Sequence, residues 1–255
     1  MLYYQFNKGV IEVDSNNAYF MTDYPYLMGQ LYIQNMFSTE VNTINYLIDL
    51  YKDIAPTKTF IDVGAHVGTY TITLGKLFKE CYAFEADTHT YNILCANIAL
   101  HKMSEKCHTF NKPVADSIKN IIYTRLDECG GNNYCYNETQ EPVLKCLYEH
   151  VANPEYIKKQ SISIDTLNIK DIGLMKIDVE GFELEVLKGC SKTISDNNNP
   201  PILIESWNVN VNYTNEQNTL ISKLQKELFE YLRHLGYNTF DNMESNDELY
   251  LVRKT

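Results

Sequence analysis

Phe60-Ile-Asp-Val-Gly-Ala-His-Val-Gly-Thr-Tyr70 decides the fold of this chain. Thr59 to Val63 reads as a buried strand that contains Asp62, with Gly64 and Gly68 forming a turn after it. A helix through Tyr70, Leu74 and Phe78 starts at once. Glycines let backbone approach a ligand closely, and a helix N-terminus offers unused N–H groups. The dinucleotide fingerprint G-x-G-x-x-G needs a glycine at His66, and it is missing. Asp62, two residues before the first glycine, would repel a pyrophosphate and favour an ammonium group.

Working outward, Tyr82 to Glu85 reads as the next strand. Glu85 follows Gly64 by about twenty residues, where an acid accepts hydrogen bonds from both ribose hydroxyls. A ligand with ribose, positive charge and no phosphate suits both acids. S-adenosylmethionine is such a ligand, and NAD is not.

The rhythm continues with Thr88 as N-cap of a helix over Tyr91 to Leu100, and with a third strand at Phe110 to Ala115. Leu174 to Val179 is a fourth strand, followed by a helix through Leu184 and Leu187. Ile202 to Glu205 is a fifth. Thr214 and Gln217 form a capping box that opens a long amphipathic helix ended by Gly236. Two β-like segments, Tyr237 to Phe240 and Glu248 to Val252, close the chain as a hairpin. Alternating elements with continuous apolar strands predict an α/β fold: a mostly parallel seven-stranded Rossmann-like sheet with helices on both faces and an antiparallel C-terminal hairpin.

Upstream, residues 1–38 read as an N-terminal extension with β-like pieces at Val10 to Val13 and Tyr19 to Thr22. Val41, Ile44, Leu47, Ile48 and Tyr51 then space as a helix that Pro56 closes. The core is read as residues 39–255 within a single domain. Residues 125–160, with Gly130-Gly131 and two prolines, break the rhythm and read as an insertion on the substrate side.

The 255 residues carry 22 basic and 33 acidic side chains, a net charge of −11, which disfavours nucleic acid or an anionic membrane as the main partner. No apolar run reaches the roughly 18 residues of a membrane helix. The N-terminus lacks the pattern of a signal peptide, and seven cysteines without a CxxC pair point to a reduced, cytoplasmic chain. Abundant Asn, Ile, Tyr and Lys suggest A/T-rich codons, as in some viral genomes.

FIDVGAHVGTYT, YAFEADTHTYNILCANI, SISIDTL, LMKIDVEGFELEVLKG and PPILIESW occur in that order between Thr59 and Trp207. Together they resemble the FkbM-type S-adenosylmethionine-dependent methyltransferases, and the KIDVEGFELEVLKG block is the most specific part. His66 departs from the family, which usually has Asn there. The resemblance implies O-methylation, with S-adenosylhomocysteine as product and a carbohydrate, glycan or other small-molecule hydroxyl as acceptor. It implies that Asp62, Gly64, Ala65, His66 and Gly68 surround the methionine portion, with Thr69 and Tyr70 opening the helix beside them. Glu85 and Ala86 would take the ribose, and Val114, Ala115 and Asp116 the adenine. Asp178 would stand beside the sulfonium and the acceptor hydroxyl.

A sugar hydroxyl is a poor nucleophile until its proton leaves, so a base helps. Asp178 is the first choice, with Glu180 and Glu205 as substrate contacts and Lys176 orienting a carboxylate. Each has a plainer reading: Lys176 snorkelling to solvent, Glu180 capping a helix, Glu205 anchoring a loop. His66 stays open between base, cofactor contact and turn filler. Three carboxylates could also hold a divalent cation, but no metal is assigned. Cys129, Cys135, Cys146 and His150 offer soft ligands at spacings of no common zinc module, and loop thiols are the simpler reading. Tyr134, Tyr136, Tyr148 and Trp207 are candidates to stack on a sugar ring. The competing functions are an RNA 2′-O-methyltransferase and an inactive cofactor-binding scaffold.

Overall fold

The computed structural model describes residues 4–7, 10–13, 18–21, 42–125, 134–136, 154–243 and 248–255. They belong to two compact units, residues 1–111 and 112–255. Seven strands make one mostly parallel sheet that ends in an antiparallel hairpin, which is the Rossmann-like class expected.

The first unit opens with an antiparallel sheet of β1 (Tyr4–Asn7), β2 (Val10–Val13) and β3 (Ala18–Met21), paired in chain order. Helix α1 (residues 42–51) buries Ile44, Leu47 and Tyr51. Pro56 lies in the short turn of 3-10 helix that follows it. Next come β4 (Thr59–Val63), α2 (Thr69–Thr73), β5 (Glu80–Phe84), α3 (Thr88–Leu100) and β6 (Cys107–Phe110). β4, β5 and β6 are parallel neighbours in that order. Every residue of β4 is buried, as a strand covered on both faces requires. Phe60 packs on Phe78 at 5.4 Å between ring centroids, and Phe84 stacks on Phe110 at 4.7 Å.

Three boundaries differ from expectation. α2 stops at Thr73 instead of running through Phe78. Past it, the N–H groups of Leu77 and Phe78 donate to the carbonyls three residues back, Leu74 and Gly75, so the chain continues as tight turns, and the Lys106 ammonium caps the carbonyls of Gly75, Lys76 and Phe78. α3 starts at Thr88, and its N-cap is Asp87, whose carboxylate accepts the Thr90 N–H at 2.9 Å. The third strand ends at Phe110; beyond it only Val114 makes an isolated bridge, to Ile162. Pro113, without an N–H, interrupts any continuation.

The second unit holds an antiparallel sheet in the order β8-β7-β9, made of β7 (Asn120–Arg125), β8 (Tyr134–Tyr136) and β9 (Glu155–Gln160). β10 (Ile172–Ile177), α4 (Glu183–Gly189), α5 (Ser191–Asp196) and β11 (Ile202–Glu205) follow. The chain closes with α6 (Asn215–His234), β12 (Thr239–Asn242) and β13 (Leu249–Arg253). β10 and β11 are parallel, while β13 is antiparallel to both β11 and β12. The Thr214–Gln217 capping box is formed, and α6 buries Ile221, Leu228 and Leu232. Gly236 adopts φ +97°, where a Cβ is disfavoured, and so ends the helix.

Among the described residues, no helix is long and apolar enough to cross a membrane. Gly130, Gly131, Cys129, Cys146, Tyr148 and His150 lie outside the described residues, as does the Tyr136 side chain.

Candidate active site

In the first unit, the chain leaves β4 into a turn held open by backbone that few side chains tolerate. Gly64, His66 and Gly68 have φ of +77°, +51° and +100°. The N–H groups of Gly64 and Ala65 both donate to the Phe84 carbonyl, and Asn97 of α3 donates to the Val67 carbonyl at 2.8 Å. A Cβ at Gly68 would lie 2.9 Å from Leu94 Cδ1, so the turn is pressed against α3.

Two carboxylates brace it. Asp62 is fully buried and accepts the Thr71 hydroxyl at 2.5 Å, tying the end of β4 to α2. Glu85 accepts the His66 N–H at 2.8 Å on one oxygen and the Asp87 N–H at 2.7 Å on the other. Asn111 holds the carbonyls of Glu85 and Ala86. The bonds from His66 and Asp87 fix the Glu85 carboxylate at the turn. The acids beside this glycine turn suit an ammonium and ribose hydroxyls and oppose a pyrophosphate. On those acceptors the residues present fit S-adenosylmethionine. Thr69 and Tyr70 are buried in the first turn of α2.

In the second unit, Ala115 is buried and its N–H donates to the Ile162 carbonyl. Asp116, beside it, is exposed and paired with Lys119. A Cβ at Gly189 would lie 2.0 Å from the Ala115 carbonyl oxygen, so the last turn of α4 is packed directly on this loop. Ser163 reinforces the contact by donating to the Gly189 carbonyl.

The carboxylates gather at the ends of β10 and β11. The strand register pairs Ile177 with Ile204, so Asp178 and Glu205 emerge side by side. One oxygen from each of Asp178, Glu180 and Glu205 lies within 4.8 Å of the others, a donor set a hard cation could share. The buried Lys176 ammonium pairs with Asp178 at 3.1 Å. Glu205 is pushed well above the ordinary carboxylate range, first by burial and then by the charges of Glu180, Asp178 and Glu183, with Lys176 opposing. Tyr213 is raised by burial and by the charges of Glu248 and Glu180, which places its phenol in the same electrostatic neighbourhood.

The turn carrying Asp178 and Glu180 is itself unusual. Glu180 and Gly181 are consecutive left-handed residues, φ +56° and +94°. Glu183, a residue sequence reasoning passed over, accepts the N–H groups of Val179 and Gly181, both at 3.1 Å, on one oxygen. Burial and the charge of Asp178 raise Glu183 to about 7 against the lowering of those hydrogen bonds. The available signal was an acid two residues beyond a glycine at a strand-to-helix turn. Trp207 covers the other side: a Cβ at Gly181 would fall 2.8 Å from its indole rim. Ser206 and Gln225 join Glu183 and Trp207 in lining a small cleft with Ile221 and Leu228. Trp207 thus packs on the turn, and Tyr134 is buried within β8.

A family model described as the methyltransferase FkbM domain matches residues 62–239. The chain belongs to that family, whose methyl donor is S-adenosylmethionine. Methyltransferase 1 of Beauveria bassiana is 25% identical over 159 residues, 56% of this chain and 63% of that protein. Methyltransferase sdnD of Sordaria araneosa is 24% identical over 166 residues, 55% of this chain and 64% of that protein. The matches thus span less than two thirds of these relatives' own lengths. The crystal structure of a proposed caffeoyl-CoA O-methyltransferase from Staphylococcus aureus shares the fold, with a TM-score of 0.51 at 11% identity over 89% of this chain and 91% of that one.

Proposed function

We propose that this chain is an S-adenosylmethionine-dependent O-methyltransferase whose acceptor is a hydroxyl of a carbohydrate, free, nucleotide-linked or within a glycan. The observation that carries the reading is the carboxylate set of Asp178, Glu180 and Glu205, with Lys176 paired to Asp178.

S-adenosylmethionine, when bound, supplies an electrophilic methyl carbon that an oxygen displaces in line from sulfur. The chain's part is to hold, align and deprotonate. Asp62, the Gly64–Gly68 turn and Glu85 hold the methionine and ribose portions, and Val114, Ala115 and Asp116 the adenine. Asp178 takes the acceptor hydroxyl proton, kept in orientation by the Lys176 ammonium. A proton transfer of this kind contributes on the order of 10²–10⁴ in rate. Glu205, whose proton is held more tightly than an ordinary carboxyl's by burial and by the neighbouring acids, donates a hydrogen bond to an acceptor oxygen, and Glu180 accepts from a neighbouring hydroxyl. Polyhydroxylated acceptors suit such a mixed donor and acceptor set, with Trp207 and Tyr213 offering ring faces nearby.

The test is calorimetric titration with S-adenosylmethionine and S-adenosylhomocysteine, with NAD as control. Micromolar binding of the first two, lost in Glu85→Ala, is the expected result and leads to methyl-acceptance screening on nucleotide-sugars and glycans. A folded protein that binds neither would refute the reading.

A further inference from the structure

We propose that Glu183 is a positioning residue: its carboxylate fixes the Asp178–Gly181 turn in the one backbone shape that keeps Asp178 and Glu180 gathered with Glu205. The inference rests on reading those acids as the acceptor-side machinery. It deepens that reading by naming what holds them there.

A turn with two consecutive left-handed residues points its amides inward, and Glu180 has no glycine's freedom to sit at φ +56°. Something must compensate. One oxygen of Glu183 accepts the amides on both sides of Glu180, from Val179 and Gly181. Glu183 is only 5% exposed, so water does not compete for those bonds. Opposite it, the absence of a side chain at Gly181 admits the Trp207 indole. The turn is gripped by an acceptor on one side and an aromatic wedge on the other. The charged groups that act on Glu183 are Asp178 of its own turn and Glu205 of β11, and both of these in turn feel the Lys176 ammonium of β10. α6 presents Gln225 and apolar side chains to the shared cleft.

Trp207 is the only tryptophan of the chain, so its emission reports on this turn and on the α6 side chains beside it. The experiment compares wild type, Glu183→Ala and Glu183→Gln by Trp207 fluorescence and by amide hydrogen exchange at Val179 and Gly181. In Glu183→Ala, exchange at those two amides should accelerate at least tenfold and the emission should shift, while amides of β10 stay protected. Glu183→Gln keeps an oxygen acceptor and should restore both readouts to within about twofold of wild type. Wild-type protection and emission in Glu183→Ala would overturn the proposal, as would failure of the glutamine to rescue in a folded protein. Should the alanine variant not fold, the glutamine variant alone decides through the same two amides. No readout needs a cofactor, so absent S-adenosylhomocysteine binding would sink the methyl-transfer reading and leave this result standing.

Discussion

At Gly68, backbone conformation and packing make the same demand: φ is +100°, and an added Cβ would meet Leu94 Cδ1 at 2.9 Å. Gly68→Ala should therefore cost about 1–3 kcal/mol, read as a lower urea midpoint with unchanged slope. Asp178→Asn keeps the size of the side chain and removes its basicity. It should lower kcat at least 100-fold and leave S-adenosylhomocysteine affinity within about threefold by calorimetry; unchanged turnover would remove Asp178 as base. Asp62, Glu85, Asp178 and Glu205 were legible as acids at or just past strand ends, because each follows or ends a continuous apolar run. What the sequence could not reveal was how they are used. Glu85 spends a lone pair of each oxygen on backbone, from His66 and Asp87, before any ligand arrives. Glu183 stayed invisible because an acid in the first turn of a helix is ordinary, and only the left-handed pair before it gives it a task.

At the level of elements, α6 was legible from end to end, since a capping box, an apolar stripe and a terminal glycine all agree. Thr214→Ala should cost about 1 kcal/mol, measurable as a lower melting temperature, because it removes the hydroxyl that accepts the Gln217 N–H and leaves only the bond from the Thr214 N–H to the Gln217 side chain. α2 was misread for a physical reason: Leu74 and Phe78 keep helical spacing, but beyond Thr73 the backbone bonds reach back three residues instead of four, from Leu77 to Leu74 and from Phe78 to Gly75. Asp87 and Thr88 are both good caps, and local pattern does not choose between adjacent candidates. The sheet of β7, β8 and β9 escaped notice because β9 exposes most of its residues and shows no apolar run. Its pairing with β7 is long-range and leaves little trace in local sequence.

For the whole molecule, acidity has a consequence for stability. Glu183 is raised from its ordinary 4.5 to about 7, so the folded chain binds that proton more tightly than the unfolded chain. Its contribution is fully present below about 4.5 and is lost as pH rises through about 7. Glu205, shifted the same way, adds to the trend. Melting temperature should fall from pH 5 to pH 8, by an amount on the order of a few kcal/mol in stability. The slope should flatten in Glu183→Gln, and a flat wild-type profile would contradict the assignment. The net charge of −11 predicts that RNA is not retained at physiological salt, which a filter-binding assay checks. Finally, α4 has only seven residues, and both of its ends are engaged. Gly189 leaves no slack against the Ala115 carbonyl, and Glu183 clasps the Asp178–Gly181 turn. So short a helix is a strut, about 10 Å long, between the 113–116 loop and the turn that carries Asp178 and Glu180.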